Sequence, residues 1–333
     1  MAQRITGHTG VYGIIADPIR HSISPMMHNT AFEALGIDGV YVAFETPEEM
    51  FDRAVQGLFA MGIKGFNVSM PYKRAIMEYL DELSSAAKLC RAVNTVVRKE
   101  DGTYAGHLTD GIGFIRSLKE RGFEMKDKKV VLLGKGGAAT AIGVQAALEG
   151  AAKISIFNRS DAGELAGLLR DNTGCRTEAH SISDLSTLKK ELETADILIN
   201  GTNVGMGALQ GQCLIPDVSY LRKELWVVDI IYNPAETELL KMAKEAGCTT
   251  LNGMGMLLYQ GAEAFQLWTG CEMPVDEVKK AAFPDLKSMR EFFSNQKRIF
   301  FQCIFDSLDK FLYCWYIILK CNCCIFHIIR INS

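Results

Sequence analysis

A glycine-rich turn between a strand and a helix is the feature that most restricts how this 333-residue chain can fold. Lys129–Leu133 (KVVLL) is a short apolar run typical of a buried strand, and GKGGAATA follows it at Gly134–Ala141. Such a turn brings backbone N–H groups and the positive end of a helix onto a pyrophosphate. Ala139 stands where the third glycine of G-x-G-x-x-G would be, so the turn alone also fits an ordinary tight connection.

Further strand and helix patterns alternate after this turn. The segments with strand character are Ile154–Phe157, Ile197–Asn200, Trp226–Ile231 and Thr249–Leu251. A helix is expected after the turn, ending near Leu148, and another over Glu236–Ala246. This alternation is typical of a doubly wound parallel sheet, so residues 113–254 are predicted to form a Rossmann-type dinucleotide-binding domain.

The segment after the second of these strands bears on the choice of dinucleotide. It contains Asn158, Arg159, Ser160 and Asp161, at the place where the adenosine ribose of a bound dinucleotide lies. Arginine suits the 2′-phosphate of NADP, whereas aspartate suits the free 2′-hydroxyl of NAD. Both are present, which predicts dual use of NAD and NADP; the alternative is a pair of solvated charges after a strand.

The first half has its own β-α-β-α-β rhythm. Strands are predicted at Val11–Ala16, Val40–Phe44 and Ile63–Ser69, and helices over residues 24–36 and 47–61. This pattern predicts a separate α/β domain over residues 1–112.

Polar residues of this first half fall in loops that follow strands. Ser22 and Ser24 could both donate to one carboxylate, although Ser24 before Pro25 would also serve as a helix N-cap. Lys73 stands just past a strand and a proline, where a single lysine is usually solvated. Asn94 and Asp110 add an amide and a carboxylate at further turns. The residue types fit a site for a small acid, but each residue taken alone also fits an ordinary structural or solvent-exposed role.

Eight ordered strings together resemble the shikimate dehydrogenase family: SISP, NVSMPYK, AVNT, TDG, GKGGAA, NRSD, NGTNVGM and GMGMLLYQGAEAF. The resemblance runs from about Tyr12 to about Phe283 and is greatest to the quinate/shikimate dehydrogenase branch, which accepts NAD or NADP. It implies reversible oxidation of the ring 3-hydroxyl of shikimate or quinate to a ketone, with hydride passing to NAD(P)⁺, in the aromatic amino-acid pathway. It also implies that helices from about 255–283 complete the substrate domain.

The resemblance assigns roles residue by residue. Lys73 and Asp110 become the catalytic pair, with Asp110 expected mainly to orient Lys73 and the hydroxyl, whose proton must leave to a base. The implied substrate residues are Ser22 and Ser24 for the carboxylate, Ser69, Asn94 and Gln260 for the hydroxyls, and Tyr41. The implied cofactor residues are Gly134, Lys135, Gly136, Gly137, Ala138, Asn158, Arg159, Ser160, Asp161, Asn203, Ile230, Ile231, Tyr232, Asn233 and Gly253. No metal is expected.

Three positions depart from the family pattern. The family usually has alanine where Lys135 stands, so this lysine adds a phosphate contact or crowds the turn. It usually has asparagine where Leu108 stands, and it often has threonine where Ser69 stands, which keeps the hydroxyl. None of the departures removes a catalytic group.

Three other functions compete with this interpretation. A dedicated NADP-dependent biosynthetic shikimate dehydrogenase is disfavoured by Asp161. A non-catalytic sensor of aromatic-pathway metabolites would not need both Lys73 and Asp110. A folate-type dehydrogenase fits the carboxylate loop of Ser22 and Ser24 less well than a small acid does.

The composition limits the compartment and the partners. A formal net charge of −3 without a basic run argues against nucleic acid. The N-terminus has no apolar stretch typical of a signal peptide, and the apolar run Phe311–Leu319 is too short to span a bilayer. We therefore expect a cytoplasmic protein without a membrane anchor, with reduced thiols. The sequence is silent on oligomeric state, and a homodimer is an added expectation.

The C-terminal segment has a different composition from the rest. Five of the ten cysteines lie in the last 31 residues, whereas all 30 glycines lie at or before Gly270. Cys321–Cys324 (CNCC) has no second cysteine pair, and His327 stands alone, so a metal site is not predicted. Residues 284–333 are expected to be an extension that does not belong to the fold.

Overall fold

The structure is a computed structural model that describes residues 5–20 and 22–283. The chain divides into two units, of which the first ends at Ala281 and the second is described only at Ala282 and Phe283. The expectation of an extraneous tail over residues 284–333 therefore lies outside the described residues.

The N-terminal part of this unit forms a mixed six-stranded sheet in the order β2-β1-β3-β5-β6-β4. The strands are β1 Gly10–Ala16, β2 Gly39–Glu45, β3 Gly65–Val68, β4 Glu82–Leu83, β5 Thr95–Arg98 and β6 Tyr104–His107. Strand β1 pairs in parallel with β2 and β3, while β5 runs antiparallel to β3 and β6. The helices of this part are α1 Ser24–Leu35, α2 Phe51–Ala60 and α3 Ser85–Cys90, and α4 Asp110–Lys119 leads onward.

The C-terminal part forms a second six-stranded sheet in which every pairing is parallel, in the order β12-β11-β10-β7-β8-β9. Its strands are β7 Lys129–Leu133, β8 Lys153–Asn158, β9 Arg176–Ser181, β10 Ile197–Asn200, β11 Trp226–Asp229 and β12 Thr249–Leu251. The helices are α5 Gly137–Leu148, α6 Gly163–Thr173, α7 Leu185–Leu192, α8 Glu238–Glu245, α9 Met254–Thr269 and α10 Val275–Ala282. The strand order reverses at the neighbours β7 and β10, so ligands are expected at their carboxyl ends.

The predicted α/β class with a doubly wound parallel sheet is confirmed. The four central strands of the second sheet, β7, β8, β10 and β11, are mainly apolar and buried over most of their length, as expected for a sheet with helices on both faces. No helix in residues 5–20 and 22–283 has the length and apolar character that crossing a bilayer would require.

Helix α4 connects the two sheets through unusually close packing. A Cβ added at Gly111 would lie 2.4 Å from the carbonyl oxygen of Ala141 on α5. One added at Gly113 would lie 2.4 Å from the backbone nitrogen of Gln260 on α9. Only glycine permits such an approach, because any side chain would collide with backbone. The start of α4 is thereby fixed against the helices that border the candidate site.

His28, a residue of α1, is fully buried in a cluster of aromatic rings. Its ring stacks on Tyr41 with the centroids 4.4 Å apart, and the ring of Trp268 lies 5.1 Å away. Among the described residues, neither ring nitrogen of His28 has a hydrogen-bond partner. Burial without a partner lowers the pKa of His28 to about 3. The ring is therefore neutral at pH 7.

We expect His28 to reduce stability as the pH falls from 7 to 5. The ring takes up a proton near pH 6.5 in the unfolded chain but only near pH 3 in the folded one, so acid favours unfolding between these values. The free energy of unfolding should fall by about 2 kcal/mol through this residue. Urea unfolding at both pH values measures the change. His28→Phe should remove it, whereas the same substitution at the exposed His8 should not; equal pH dependence in all three proteins would contradict the assignment.

Candidate active site

A cavity of about 270 Å³ lies where loops of the first sheet approach α4, α5 and α9. The residues that line it are Ile14, Ile19, Ser22, Ile23, Ser24, Asn67, Val68, Ser69, Lys73, Asn94, Asp110, Ala138, Ile230, Tyr232, Gly253, Met256, Leu257 and Gln260. The set includes every predicted substrate residue except Tyr41. It also includes four of the predicted cofactor residues, so the two groups meet in one space.

Lys73 and Asp110 form an ion pair in the wall of this cavity. The Nζ atom of Lys73 donates to Oδ2 of Asp110 across 2.6 Å. The side chains keep 28% and 13% of their exposure, respectively, so the pair can be reached from the cavity but is largely withdrawn from solvent. Asp110 is the first residue of α4, so its carboxylate lies at the positive end of the helix dipole. A lysine beside a carboxylate in a cleft can pass a proton to or from a bound hydroxyl.

The turn that follows β3 determines where Lys73 lies. The N–H of Ser69 donates to the carbonyl of Ile15 on β1, and the N–H of Tyr72 donates to the carbonyl of Ser69. The hydroxyl of buried Tyr72 donates to the carbonyl of Thr46 across 2.5 Å. Finally, the carbonyl of Lys73 accepts the N–H of Val93. The backbone is thus held on both sides of Lys73, which removes conformational freedom from the catalytic candidate.

Asn94 orients Asp110 from within the wall. Its Nδ2 atom donates to Oδ1 of Asp110 across 2.9 Å and to the hydroxyl of Thr109 across 3.0 Å. Its Oδ1 atom accepts the N–H of Thr109 across 2.8 Å. Both amide hydrogens are therefore donated within the protein, although Asn94 also lines the cavity. The two oxygens of Asp110 consequently have separate partners, Asn94 on one and Lys73 on the other.

Ser22 and Ser24 come early in the sequence, before β2, but they line the same cavity as Lys73 and Asp110. The hydroxyl of Ser22 accepts the N–H of Ser24 across 3.2 Å. The residue at the N-cap of α1 is Ile23, and Ser24 is the first helical residue, so the alternative that Ser24 caps this helix is wrong. The hydroxyl of Ser24 also lies within hydrogen-bonding reach of the Tyr41 hydroxyl. Both serine hydroxyls stand on one short turn at the start of a helix, an arrangement that suits an anion.

Tyr41 does not line the cavity, contrary to the sequence-based expectation. It is buried on β2 against His28, and its hydroxyl donates to Oδ1 of Asn67 across 2.7 Å. Asn67 does line the cavity, and its Nδ2 atom donates to the carbonyl of Asn94 across 3.1 Å. Tyr41 therefore supports the wall from behind. Asn67 is a site residue that sequence reasoning missed; the available signal was one amide inside the otherwise apolar strand β3.

Gln260 and Ser69 complete the polar part of the cavity. Gln260 lies on α9, and its Nε2 atom donates to the carbonyl of Leu257 one turn earlier, across 3.0 Å. Among the residues that the structure describes, none donates to the side-chain carbonyl oxygen of Gln260, so this oxygen can accept a hydrogen bond from a ligand. Ser69 follows β3 directly and keeps the hydroxyl that the family pattern places there. Apolar contacts come from Met256 and Leu257, which sequence reasoning also missed although they share the α9 motif.

The start of α5 can hold a pyrophosphate. Its N-cap is Gly136, and among the described residues no side chain caps this 12-residue helix. A Cβ added at Gly136 or Gly137 would meet no atom within 4 Å, so the space beside the first turn is open. The first N–H groups of a helix, together with its dipole, bind phosphate oxygens. The residues present thus fit the diphosphate of a dinucleotide, and Ala138 connects this turn to the cavity.

The segment after β8 has its own internal bonds. The Nδ2 atom of Asn158 donates to the carbonyl and the hydroxyl of Ser160, and Oδ1 of Asp161 accepts the N–H of Gly163 across 3.0 Å. Arg159 is exposed. The Nζ atom of Lys135 reaches this segment and donates to the carbonyl of Asp161 across 2.6 Å. None of the residues from 158 to 161 lines the cavity, which is consistent with an adenosine end distant from the reacting ring.

A buried carboxylate that sequence reasoning missed, Asp229, holds the loop after β11. It accepts from the side chain of Asn200, from the hydroxyl of Thr237 and from the N–H of Ile231. Burial raises the pKa of Asp229, while these three bonds oppose the rise. The loop that it anchors carries the predicted residues Ile230, Ile231, Tyr232 and Asn233. The carboxylate is part of the strand-like run WVVDII, so one charge in an apolar run was the available signal.

Two other predicted cofactor residues adjoin this loop. The N–H of Gly253, at the N-cap of α9, donates to the carbonyl of Ile231 across 3.0 Å. Asn203 is exposed in the turn after β10, which the side chain of Asn200 organises by accepting from Thr202. The predicted cofactor residues therefore lie at or just after the carboxyl ends of β7, β8, β10, β11 and β12, along one edge of the sheet.

One cluster of possible metal ligands occurs in the described residues, away from this cavity: Glu178, His180 and Glu191. The ammonium of Lys153 lies 2.9 Å from Glu178 and 2.8 Å from Glu191. Lys153 pairs with both carboxylates, and Arg176 lies 2.8 Å from Glu178, so two cations balance the two carboxylates and the cluster is an ion-pair network rather than a metal site.

The comparisons with known proteins agree with this geometry. Residues 14–96 match the shikimate dehydrogenase substrate binding domain, and residues 253–283 match the shikimate 5′-dehydrogenase C-terminal domain. A shikimate dehydrogenase (NADP⁺) from Listeria monocytogenes is 50% identical over 288 residues, which cover 85% of this chain and 99% of that protein. The chain belongs to the shikimate dehydrogenase family. It is accordingly an oxidoreductase that acts on a CH–OH group with NAD or NADP, and the family prediction is confirmed.

Solved structures of the shikimate dehydrogenase family extend the likeness to the fold. The crystal structure of shikimate 5-dehydrogenase from Listeria monocytogenes in complex with shikimate and NAD gives a TM-score of 0.82 at 50% identity, covering 85% of this chain and 99% of that one. Quinate dehydrogenase from Corynebacterium glutamicum in complex with NAD gives a TM-score of 0.75 at 32% identity, covering 82% and 98%.

Proposed function

We propose that this enzyme reversibly oxidises the 3-hydroxyl of shikimate to give 3-dehydroshikimate, and that it accepts quinate as a second, poorer substrate. The order of preference is supported by the 50% identity to a shikimate dehydrogenase, against 32% to a quinate dehydrogenase. We also propose the division into a substrate domain over residues 1–112 and a cofactor domain over residues 113–254, with α9 and α10 completing the former.

One observation carries the proposal: the Lys73–Asp110 ion pair and the hydroxyls of Ser22 and Ser24 share one cavity of about 270 Å³. A hydroxylated ring acid needs an anion site and a proton-transfer group at a fixed separation, and the cavity offers both. The same cavity is also lined by Ala138, Tyr232 and Gly253, which are among the predicted cofactor residues. A site for an uncharged substrate would have no need of the serine pair.

The mechanism divides the work between the cofactor and the protein. When bound, NAD(P) accepts the hydride from the alcohol carbon or returns it to the ketone. In the direction of reduction, the Lys73 ammonium donates a proton to the developing alkoxide oxygen, and oxidation reverses this transfer. Asp110 holds one of the three N–H donors of Lys73, which leaves two for the substrate oxygen. Asn94 keeps Asp110 in place.

We propose that the enzyme uses both NAD and NADP. Arg159 provides a cation for a 2′-phosphate, whereas Asp161 and Ser160 provide acceptors for a free 2′-hydroxyl. Relatives support each choice, since one is named as NADP⁺-dependent and another has been solved with NAD.

Steady-state kinetics with shikimate and quinate, each paired with NAD⁺ and with NADP⁺, test the proposal. We expect turnover with both acids, a higher kcat/KM for shikimate, and less than a thousandfold difference between the two cofactors. A preference for NADP⁺ above a thousandfold would instead support a dedicated biosynthetic enzyme. If the protein bound shikimate but did not oxidise it with either NAD⁺ or NADP⁺, the alternative of a metabolite sensor would be supported.

A further inference from the structure

We propose that Lys135 is a specificity-determining residue for the 2′-phosphate of NADP, which deepens the proposed function and rests on it. The residue stands in the glycine-rich turn between β7 and α5, where the family usually has alanine. Its ammonium nevertheless reaches the next loop, donating to the carbonyl of Asp161 across 2.6 Å. The cation is therefore held at the segment that meets the adenosine ribose, rather than at the pyrophosphate.

The charges around this contact favour a phosphate. Lys135 and Arg159 contribute two cations to the segment, and Asp161 contributes one carboxylate. That carboxylate already accepts the N–H of Gly163 at the start of α6. A phosphate monoester carries roughly −1.5 to −2 charge near neutral pH, so a second cation adds attraction that a ribose hydroxyl does not feel.

The ammonium of Lys135 also has more N–H donors than its bond to Asp161 uses. An ammonium has three donors, and the carbonyl of Asp161 takes one of them. Two remain for phosphate oxygens, while the bond to Asp161 restricts the flexible side chain before any ligand binds. A cation that is already positioned loses less conformational entropy on binding.

Isothermal titration calorimetry of the full chain tests the inference without turnover. The ligands are adenosine 2′,5′-bisphosphate and adenosine 5′-monophosphate, which differ by the 2′-phosphate alone. Lys135→Ala should weaken binding of the bisphosphate about tenfold and of the monophosphate less than twofold. Lys135→Arg, which keeps the cation, should restore most of the loss. Lys241→Ala, which removes an exposed lysine from α8, controls for the change in net charge.

An equal loss for the two ligands would mean that Lys135 only braces the loop, and it would overturn the inference. Unchanged affinity for the bisphosphate would overturn it as well. In both cases wild-type binding and turnover persist, so the proposed function survives. If the wild-type chain bound neither nucleotide and turned over neither acid, the proposed function would fail and this inference with it.

Discussion

Replacing Lys73 by alanine is expected to lower kcat about a thousandfold, the middle of the range for losing a general acid–base group. The side chain is the proton-transfer group of the proposed mechanism, and the methyl group of alanine can neither donate nor accept a proton. The dissociation constant for NADP⁺ should change less than twofold, since Lys73 lies on the first-sheet side of the cavity. Stopped-flow or steady-state assays, together with calorimetric titration, measure the two quantities.

Two further variants separate proton transfer from charge. Lys73→Arg keeps a cation beside Asp110, but a guanidinium does not release its proton near neutral pH, so kcat should stay almost as low as in the alanine variant. Lys88→Ala removes an exposed lysine from α3 and should leave kcat unchanged. Activity of Lys73→Ala within tenfold of wild type would show that another group transfers the proton.

Adding one methyl group at Gly253 is expected to disrupt both stability and ligand binding. A Cβ there would lie 1.9 Å from the carbonyl oxygen of Ile230, far inside any contact distance. The φ of Gly253 is −71°, which alanine adopts freely, so the whole penalty comes from the collision. We expect Gly253→Ala to lower the free energy of unfolding by about 3 kcal/mol, as for severe overpacking, and to weaken NADP⁺ binding by displacing the loop after β11.

Chemical unfolding and calorimetric titration of the same sample measure both effects. Gly57→Ala is the matched control, because Gly57 lies in α2 and a Cβ added there meets no atom within 4 Å. That substitution should stabilise the protein by roughly 0.5 to 1 kcal/mol through helix propensity. If Gly253→Ala were as stable as wild type, the packing between α9 and this loop would have to be looser than described.

Local sequence patterns predicted the second sheet better than the first. Lys129–Leu133 and Ile197–Asn200 are apolar runs with clear turns on both sides, so their bounds match the observed strands. The run from Trp226 to Ile231 was predicted too long: the strand ends at Asp229, whose carboxylate turns back to accept the N–H of Ile231. Strands β4 to β6 and β9 were missed, because they are very short or largely polar and their pairing is set by distant partners.

The candidate site was predictable as residue types but not as an arrangement. Lys73 and Asp110 could be named from their motifs, yet the bond between them depends on how the turn after β3 meets the start of α4. The support from Asn67 was not apparent, because a buried amide is recognisable only when its partners are known. Lys135 likewise stood out as a departure, but no local pattern indicates that its ammonium reaches the carbonyl of Asp161 in the next loop.

The close packing of α4 has a consequence for how substrate preference can change. Gly113 packs against the backbone of Gln260, so one wall of the cavity is supported by a residue that does not itself line the cavity. Because Asp110 begins the same helix, a small shift of α4 moves the proton-transfer pair and that wall together. Selection for another ring acid can therefore act through a helix contact outside the cavity, leaving every group that meets the substrate chemically unchanged.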